Sequence, residues 1–260
     1  MKPDFIGIGP QRTGTTTLWH YLSCHEDIEV PHSDNNMQQL WDNNDVKSIM
    51  SNKELNWFNR PNWQANIADY ERNWISSRVK GEITPSYYTL ADRILSVYPD
   101  VKIILTWREP VSRFVSHISL LYYFAFVAKV KLPGTFDRNL TAEQFTKIID
   151  SHLSQLTVDE LNTFDIHKNV NQYESMVGFI LQFGERKYLE QWKNTAKNLL
   201  IINSEDLYTN QIDTLIRLSD FLEIKRPVEN ITSYHDNAIT TKLKLSSESI
   251  KKLEDYYNKY

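Results

Sequence analysis

The stretch Gly9-Pro10-Gln11-Arg12-Thr13-Gly14-Thr15-Thr16 constrains this chain more than any other. It follows a short apolar run, Phe5 to Gly9, and opens a segment from Thr15 to Cys24 that carries Leu18 and Leu22 on one helical face. A strand, a glycine loop and a helix in that order make an anion cradle. Successive backbone N–H groups converge at the helix N-terminus, where the helix dipole favours negative charge. Glycine is scarce, seven residues in all, and three of them are Gly7, Gly9 and Gly14, so backbone freedom is concentrated here. The spacing is that of the phosphate loop G-x-x-x-x-G-K-[ST], with Thr15 where the lysine belongs. That lysine spans the β- and γ-phosphates of a nucleoside triphosphate, so its loss counts against an ATP or GTP hydrolase. Arg12 supplies a cation from within the loop, and the hydroxyls of Thr15, Thr16 and Thr17 add donors. A strand-to-helix turn that binds nothing is the structural alternative.

The rest of the chain repeats the strand-then-helix order. Lys102 to Trp107 and Leu199 to Ile202 are apolar runs that read as buried strands. After the first comes Pro110, suited to a first helical turn, and then Val111, Phe114, Ile118, Leu121 and Ala125 at helical spacing. Residues 212–222 and 246–257 read as amphipathic helices. Alternation of this kind predicts a three-layer α/β fold around a central parallel sheet. One domain over residues 1–260 is expected, with a polar, Asn/Asp-rich inserted loop at 32–52 and mixed helices and loops at 127–170.

Composition narrows the function. A net charge of -4 does not suggest a broad nucleic-acid-binding face. Cys24 is the single cysteine, which excludes an intrachain disulfide and a cysteine zinc site and fits a reducing, cytoplasmic compartment. No secretory leader and no membrane span are expected, because the chain enters a strand at once and has no run of 18 apolar residues. The sequons at Asn139 and Asn230 then carry no meaning. Aromatic residues make up 12% of the chain, enough to build a core or line an acceptor pocket, and the core is the commoner use.

Arg12-Thr13-Gly14-Thr15-Thr16, followed by Leu18, Tyr21, Leu22 and His25, resembles the 5′-phosphosulfate loop of sulfotransferases that use PAPS (3′-phosphoadenosine 5′-phosphosulfate). The resemblance implies that Gln11, Arg12, Thr13, Gly14, Thr15, Thr16 and Thr17 bind the nucleotide. Arg12 and the loop amides would hold the 5′-phosphate and the sulfuryl oxygens. Trp107-Arg108-Glu109-Pro110-Val111-Ser112-Arg113-Phe114-Val115-Ser116-His117 resembles the family's 3′-phosphate motif, which assigns Arg108 and Ser116 to that phosphate. Arg113 is either a support for this site or an exposed surface arginine. Lys80-Gly81-Glu82-Ile83-Thr84-Pro85-Ser86-Tyr87-Tyr88 resembles an active-site segment of the heparan sulfate sulfotransferase branch, with Ile83 where that branch has lysine. Ser204-Glu205-Asp206-Leu207 resembles the family's Glu-Asp-Leu turn. In the family a loop before the last helix closes over the nucleotide; here, from His235 to Lys244, Thr240, Thr241 and Lys242 are the candidates, without a clear match to the family's Lys-Gly-Arg.

Sulfuryl transfer to a hydroxyl or amine needs a base, stabilised charge on the sulfuryl group and a neutralised leaving phosphate. Lys53-Glu54-Leu55-Asn56-Trp57-Phe58 resembles the stretch that carries the heparan branch's catalytic glutamate, which makes Glu54 the candidate base and Arg12 its catalytic partner. Without an insertion at 32–52, His32 or Asp34 would take that place. The structural alternative for Glu54 is a surface carboxylate paired with Lys53. His20 reads as a packing or surface histidine, and His117 as a weaker candidate near the 3′-phosphate. Asn56 and Asn59 stand where the branch has His and Asp. With Ile83 and the acidic chain, they argue against a long polyanionic glycan acceptor and for a smaller or neutral one. Tyr122-Tyr123-Phe124-Ala125-Phe126 either lines its pocket or forms a buried helix face. The expected products are the sulfated acceptor and adenosine 3′,5′-bisphosphate, with no metal. A P-loop small-molecule kinase and a PAPS-binding protein without turnover are the competing readings.

Overall fold

The computed structural model describes residues 1–31, 53–127, 140–162, 172–227 and 242–260. The expected inserted loop at 32–52, Thr241 and most of the loop from His235 lie outside them. The first elements are β1 (Phe5–Ile8), α1 (Thr15–Ser23) and β2 (Ile28–Glu29). A short 3-10 turn, Trp57–Asn59, precedes α2 (Ile67–Glu71) and β3 (Val79–Ile83). A second such turn, Pro85–Thr89, leads to α3 (Ala91–Val97), β4 (Lys102–Trp107) and α4 (Pro110–Tyr122). The chain continues with α5 (Ala142–Gln155), α6 (Val158–Asn162), α7 (Gln172–Gln182) and α8 (Arg186–Thr195). Last come β5 (Asn198–Asn203), α9 (Asp206–Thr209), α10 (Gln211–Leu222) and α11 (Ser247–Lys259).

The strands form one five-stranded sheet in the order β2-β3-β1-β4-β5, with every described pairing parallel. This is the α/β fold that the alternating pattern predicts. Phe5, Ile6 and Ile8 are fully buried, as a parallel sheet covered on both faces requires. From β1 the sheet extends to β3 and β2 on one side and to β4 and β5 on the other. Chain direction across the sheet therefore reverses at β1, and crevices for ligands open at the carboxyl ends of strands at such a point. The loop after β1 and Arg108 after β4 both leave the sheet there.

The chain divides into two compact units, residues 1–108 with 188–235 and residues 109–187 with 236–260. The core of the first packs Phe5, Ile83, Ile104 and Ile202 of the sheet against Leu18, Trp19 and Leu22 of α1 and Leu215 and Leu218 of α10. A second cluster in this unit centres on Phe58, whose ring meets those of Trp63, Tyr70, Tyr87 and Tyr98 at 5.3–6.3 Å between centroids. Much of the aromatic surplus is therefore core. The other unit is helical, with Phe114 and Ile118 of α4 packed with Phe145, Ile149 and Leu153 of α5 and Leu253 and Tyr256 of α11.

Candidate active site

The loop after β1 is shaped by backbone conformation and by one buried hydroxyl. Gly9, Arg12 and Gly14 all have positive φ, at 147°, 73° and 87°. Thr13 is fully buried. Its hydroxyl donates to the Pro10 carbonyl at 2.6 Å and shares a hydrogen bond with Thr106 of β4 at 2.6 Å. The Thr13 side chain therefore ties the loop to the sheet. Gly14 is the N-cap of α1; no side chain caps the helix and no acidic residue stands in its first turn. A helix N-terminus of this kind suits an anion. The Glu-Asp-Leu turn buttresses the loop, with Leu207 so close to Gly14 that a Cβ there would sit 2.9 Å from it. Thr17 shares a hydrogen bond with the Tyr208 hydroxyl at 3.1 Å. Gln11, Arg12 and Thr16 are half-buried, and Thr15 is buried at the start of α1.

Glu54 lies close to this loop through its neighbour. Lys53 is 2% exposed, and its Nζ donates to Glu54 Oε1 at 3.0 Å and to Thr15 Oγ1 at 3.2 Å. Burial lowers the Lys53 pKa, while the Glu54 carboxylate opposes the shift. Glu54 keeps 29% of its side chain exposed. It is therefore neither a free surface carboxylate nor a buried one. It stands at the edge of the site with its inner oxygen held.

The segment carrying Glu54 is fastened to a fully buried carboxylate, Glu82 of β3. Glu82 accepts hydrogen bonds from the Leu55 amide at 2.9 Å, the Thr84 hydroxyl at 2.6 Å, the Tyr70 hydroxyl at 2.8 Å and the Tyr87 hydroxyl at 3.1 Å. The Tyr87 oxygen also accepts from the Trp57 amide at 2.6 Å. Burial pushes the Glu82 carboxyl up to about 7, and its four donors hold back a larger rise. Sequence reasoning took Glu82 as part of a motif and missed this role, as it missed the Lys53 contact with Thr15. The usable signal was charge inside strand-like or motif positions, since a buried charge requires partners.

The remaining candidates fall in both units. Arg108 follows β4, half-buried, and its buried Nε has no hydrogen-bond partner among the described residues. Ser116, half-buried on α4, and Lys242, exposed, belong to the helical unit. His20 is half-buried on α1, and His117 is buried on α4. Arg113 is fully buried, contrary to the surface reading. Its NH2 group donates to the Ile180 carbonyl at 2.6 Å and the Tyr257 hydroxyl at 3.0 Å. This guanidinium ties α4 to the last turn of α7, where helix carbonyls favour a cation. Ile83 is fully buried in the sheet core beside Gly7. Asn56 adopts a left-handed conformation, φ 52°, which asparagine tolerates well. Its side chain joins those of Asn59 and Ser86 through Asn59 Nδ2, at 2.9 Å and 2.6 Å. Tyr122, Ala125 and Phe126 are buried, and Tyr123 and Phe124 are half-buried. Among the described residues, no group of three or more His, Cys, Asp or Glu is placed to hold a metal ion, and no helix is long and apolar enough to cross a membrane.

Residues 3–131 match the model of a sulfotransferase family. The membrane-associated sulfotransferase kil1 of Dictyostelium discoideum is 29% identical over 126 residues, 47% of this chain and 23% of that protein. Heparan sulfate glucosamine 3-O-sulfotransferase 3B1 of Homo sapiens is 23% identical over 233 residues, 86% of this chain and 47% of that protein. The chain thus spans less than half the length of these curated relatives. A sulfotransferase structure from Alicyclobacillus acidocaldarius superposes with a TM-score of 0.62 at 16% identity, covering 100% of this chain and 92% of that one. At that identity the likeness is one of fold.

Proposed function

This chain belongs to the sulfotransferase family, and on that premise we propose that it transfers the sulfuryl group of PAPS to a hydroxyl or amine, with Glu54 as general base. One observation carries the proposal: the buried Lys53 ammonium bridges the Glu54 carboxylate and the Thr15 hydroxyl, and Thr15 is the first residue of the helix behind the glycine loop. The residues present fit the nucleotide. The first turn of α1 has neither a capping side chain nor an acidic residue, and Arg108 keeps a buried Nε without a partner among the described residues.

When bound, PAPS supplies an activated sulfuryl group on a phosphate leaving group. The loop amides from Thr13 to Thr16, the Arg12 guanidinium and the hydroxyls of Thr15 to Thr17 bind and orient its 5′ end, with Gln11 alongside. Arg108 and Ser116 take the 3′-phosphate, an assignment that rests on their motif; Thr241 and Lys242 are candidates to close over the nucleotide only by their place before the last helix, without a motif match. Glu54 receives the acceptor's proton at its exposed edge. Asn56, Asn59 and Ile83 support an acceptor smaller or less charged than a sulfated glycan. The single cysteine supports a reducing, cytoplasmic setting.

A thermal-shift comparison of adenosine 3′,5′-bisphosphate, AMP and Mg-ATP tests the donor. A ligand that binds only the folded state at 100 times its Kd stabilises by about 2.7 kcal/mol. The bisphosphate is expected to raise Tm well above AMP. Stabilisation by Mg-ATP without the bisphosphate would replace this reading with the kinase. Glu54→Gln is expected to slow release of the bisphosphate from PAPS by about 10²- to 10⁴-fold while leaving its affinity unchanged or tighter. Absence of any wild-type turnover alongside tight binding would favour a nucleotide-binding protein without catalysis.

A further inference from the structure

The phosphate loop lacks its lysine in sequence, yet a lysine from elsewhere in the chain touches the residue that stands in its place. Thr15 occupies the loop-lysine position, and its Oγ1 accepts from the Nζ of Lys53, 38 residues away along the chain. The ammonium is buried, which is costly unless anions compensate it. Among the described residues it has one ion-pair partner, Glu54, at 3.0 Å. An ammonium has three N–H groups. Two are used, by Glu54 and Thr15, and the third has no partner among the described residues. The ammonium lies 3.2 Å from the hydroxyl of Thr15, the first residue of α1, so it and the donors at that helix start share one neighbourhood.

We propose that Lys53 stands in for the missing loop lysine, alongside Arg12, and is a catalytic residue that touches the 5′-phosphate end of the donor. The inference rests on the sulfotransferase reading above and deepens it. In the transfer, the acceptor's proton passes to Glu54 and the acceptor oxygen or nitrogen bonds to sulfur. The bond from sulfur to the 5′-phosphate oxygen breaks, and its electron pair stays on that oxygen. Glu54 therefore loses its charge in the step in which the phosphate oxygen gains one. Lys53, held between them, meets each anion in turn and is never left buried without a counter-charge. An ordinary loop lysine serves the phosphates alone, whereas this one couples the base to the leaving group.

Calorimetric titration of wild type and Lys53→Met with adenosine 3′,5′-bisphosphate and adenosine 3′-monophosphate separates this role from a structural one. Loss of a charge-assisted contact to the 5′-phosphate is expected to weaken the bisphosphate about 10- to 100-fold. The 3′-monophosphate, which has no 5′-phosphate, is expected to change by less than about 3-fold, on the same principle that an interaction never made cannot be lost. Equal losses for the two ligands, or none, would overturn the assignment of Lys53 and leave the sulfotransferase reading standing. A wild-type protein that binds neither ligand would remove both. A measurement on wild type covers the case in which Lys53→Met does not fold. With ¹⁵N-labelled lysine, one solvent-protected Nζ resonance is expected to shift with the bisphosphate and not with the 3′-monophosphate. A spectrum in which no lysine responds to the bisphosphate overturns the proposal.

Discussion

Among single residues, Glu82 has the most demanding surroundings. Four donors converge on one buried carboxylate, and the segment bearing Glu54 hangs from it by the Leu55 amide. Its carboxyl titrates at about 7 against an ordinary 4.5, with burial the largest cause. A raised folded-state pKa means that the native state holds the proton more tightly than the unfolded chain. The stabilising contribution is therefore complete below about pH 4.5 and is lost as pH rises through about 7, worth about 3 kcal/mol in all. Urea unfolding between pH 4.5 and 8 is expected to show wild type losing stability over this window relative to Glu82→Gln. Parallel pH profiles for the two proteins would refute the assignment. The motif containing Glu82 was legible in the sequence; its partners were not, because Tyr70 and Leu55 come from segments 12 and 27 residues away. Asn56 shows the reverse case. Its identity departs from the related branch, and its positive φ gives a local reason for asparagine.

The strand–loop–helix from Phe5 to Ser23 is the element on which the proposed function depends, and it was readable in advance because its signals are local. An apolar run, three glycines and a helical face each act over a few residues. Gly14 is the tightest point: its φ of 87° and the Leu207 methyl leave little room for a side chain. Gly14→Ala is expected to cost about 1–2 kcal/mol in a left-handed position, read from the urea midpoint, and to weaken bisphosphate binding by distorting the cradle. A variant with wild-type stability and affinity would show that the loop is not used as described. In the helical unit, the Cβ of an alanine at Gly184 would collide with the buried Arg113 guanidinium. Gly184→Ala is expected to destabilise by about 1–3 kcal/mol through overpacking, measured the same way. Strand β3 was the element the pattern hid. Val79-Lys80-Gly81-Glu82-Ile83 is short, glycine-containing and polar, and only pairing with β1 and β2 makes it a strand.

At the scale of the whole molecule, the charges near the loop carry the chemical argument. In the proposed reaction, Arg12, Lys53 and the loop amides together meet the charge that develops on a leaving phosphate, which is the task of Mg²⁺ in a kinase. PAPS turnover is therefore expected to be unchanged, within about 2-fold, in excess EDTA, as for catalysis by fixed protein charges; a Mg²⁺ requirement measured in the same assay would shift the balance to the kinase reading. The sequence by itself determined the α/β class, the sheet's main strands, the glycine loop between strand and helix and the family, because these depend on short-range periodicity and on motifs contiguous in the chain. Tertiary structure alone decided what the buried charges do. Lys53 reaches Thr15, Glu82 gathers four donors and Arg113 turns inward because a charge taken out of water must find partners wherever the fold brings them. The loop lysine that is missing along the chain is thus matched by a lysine adjacent in space.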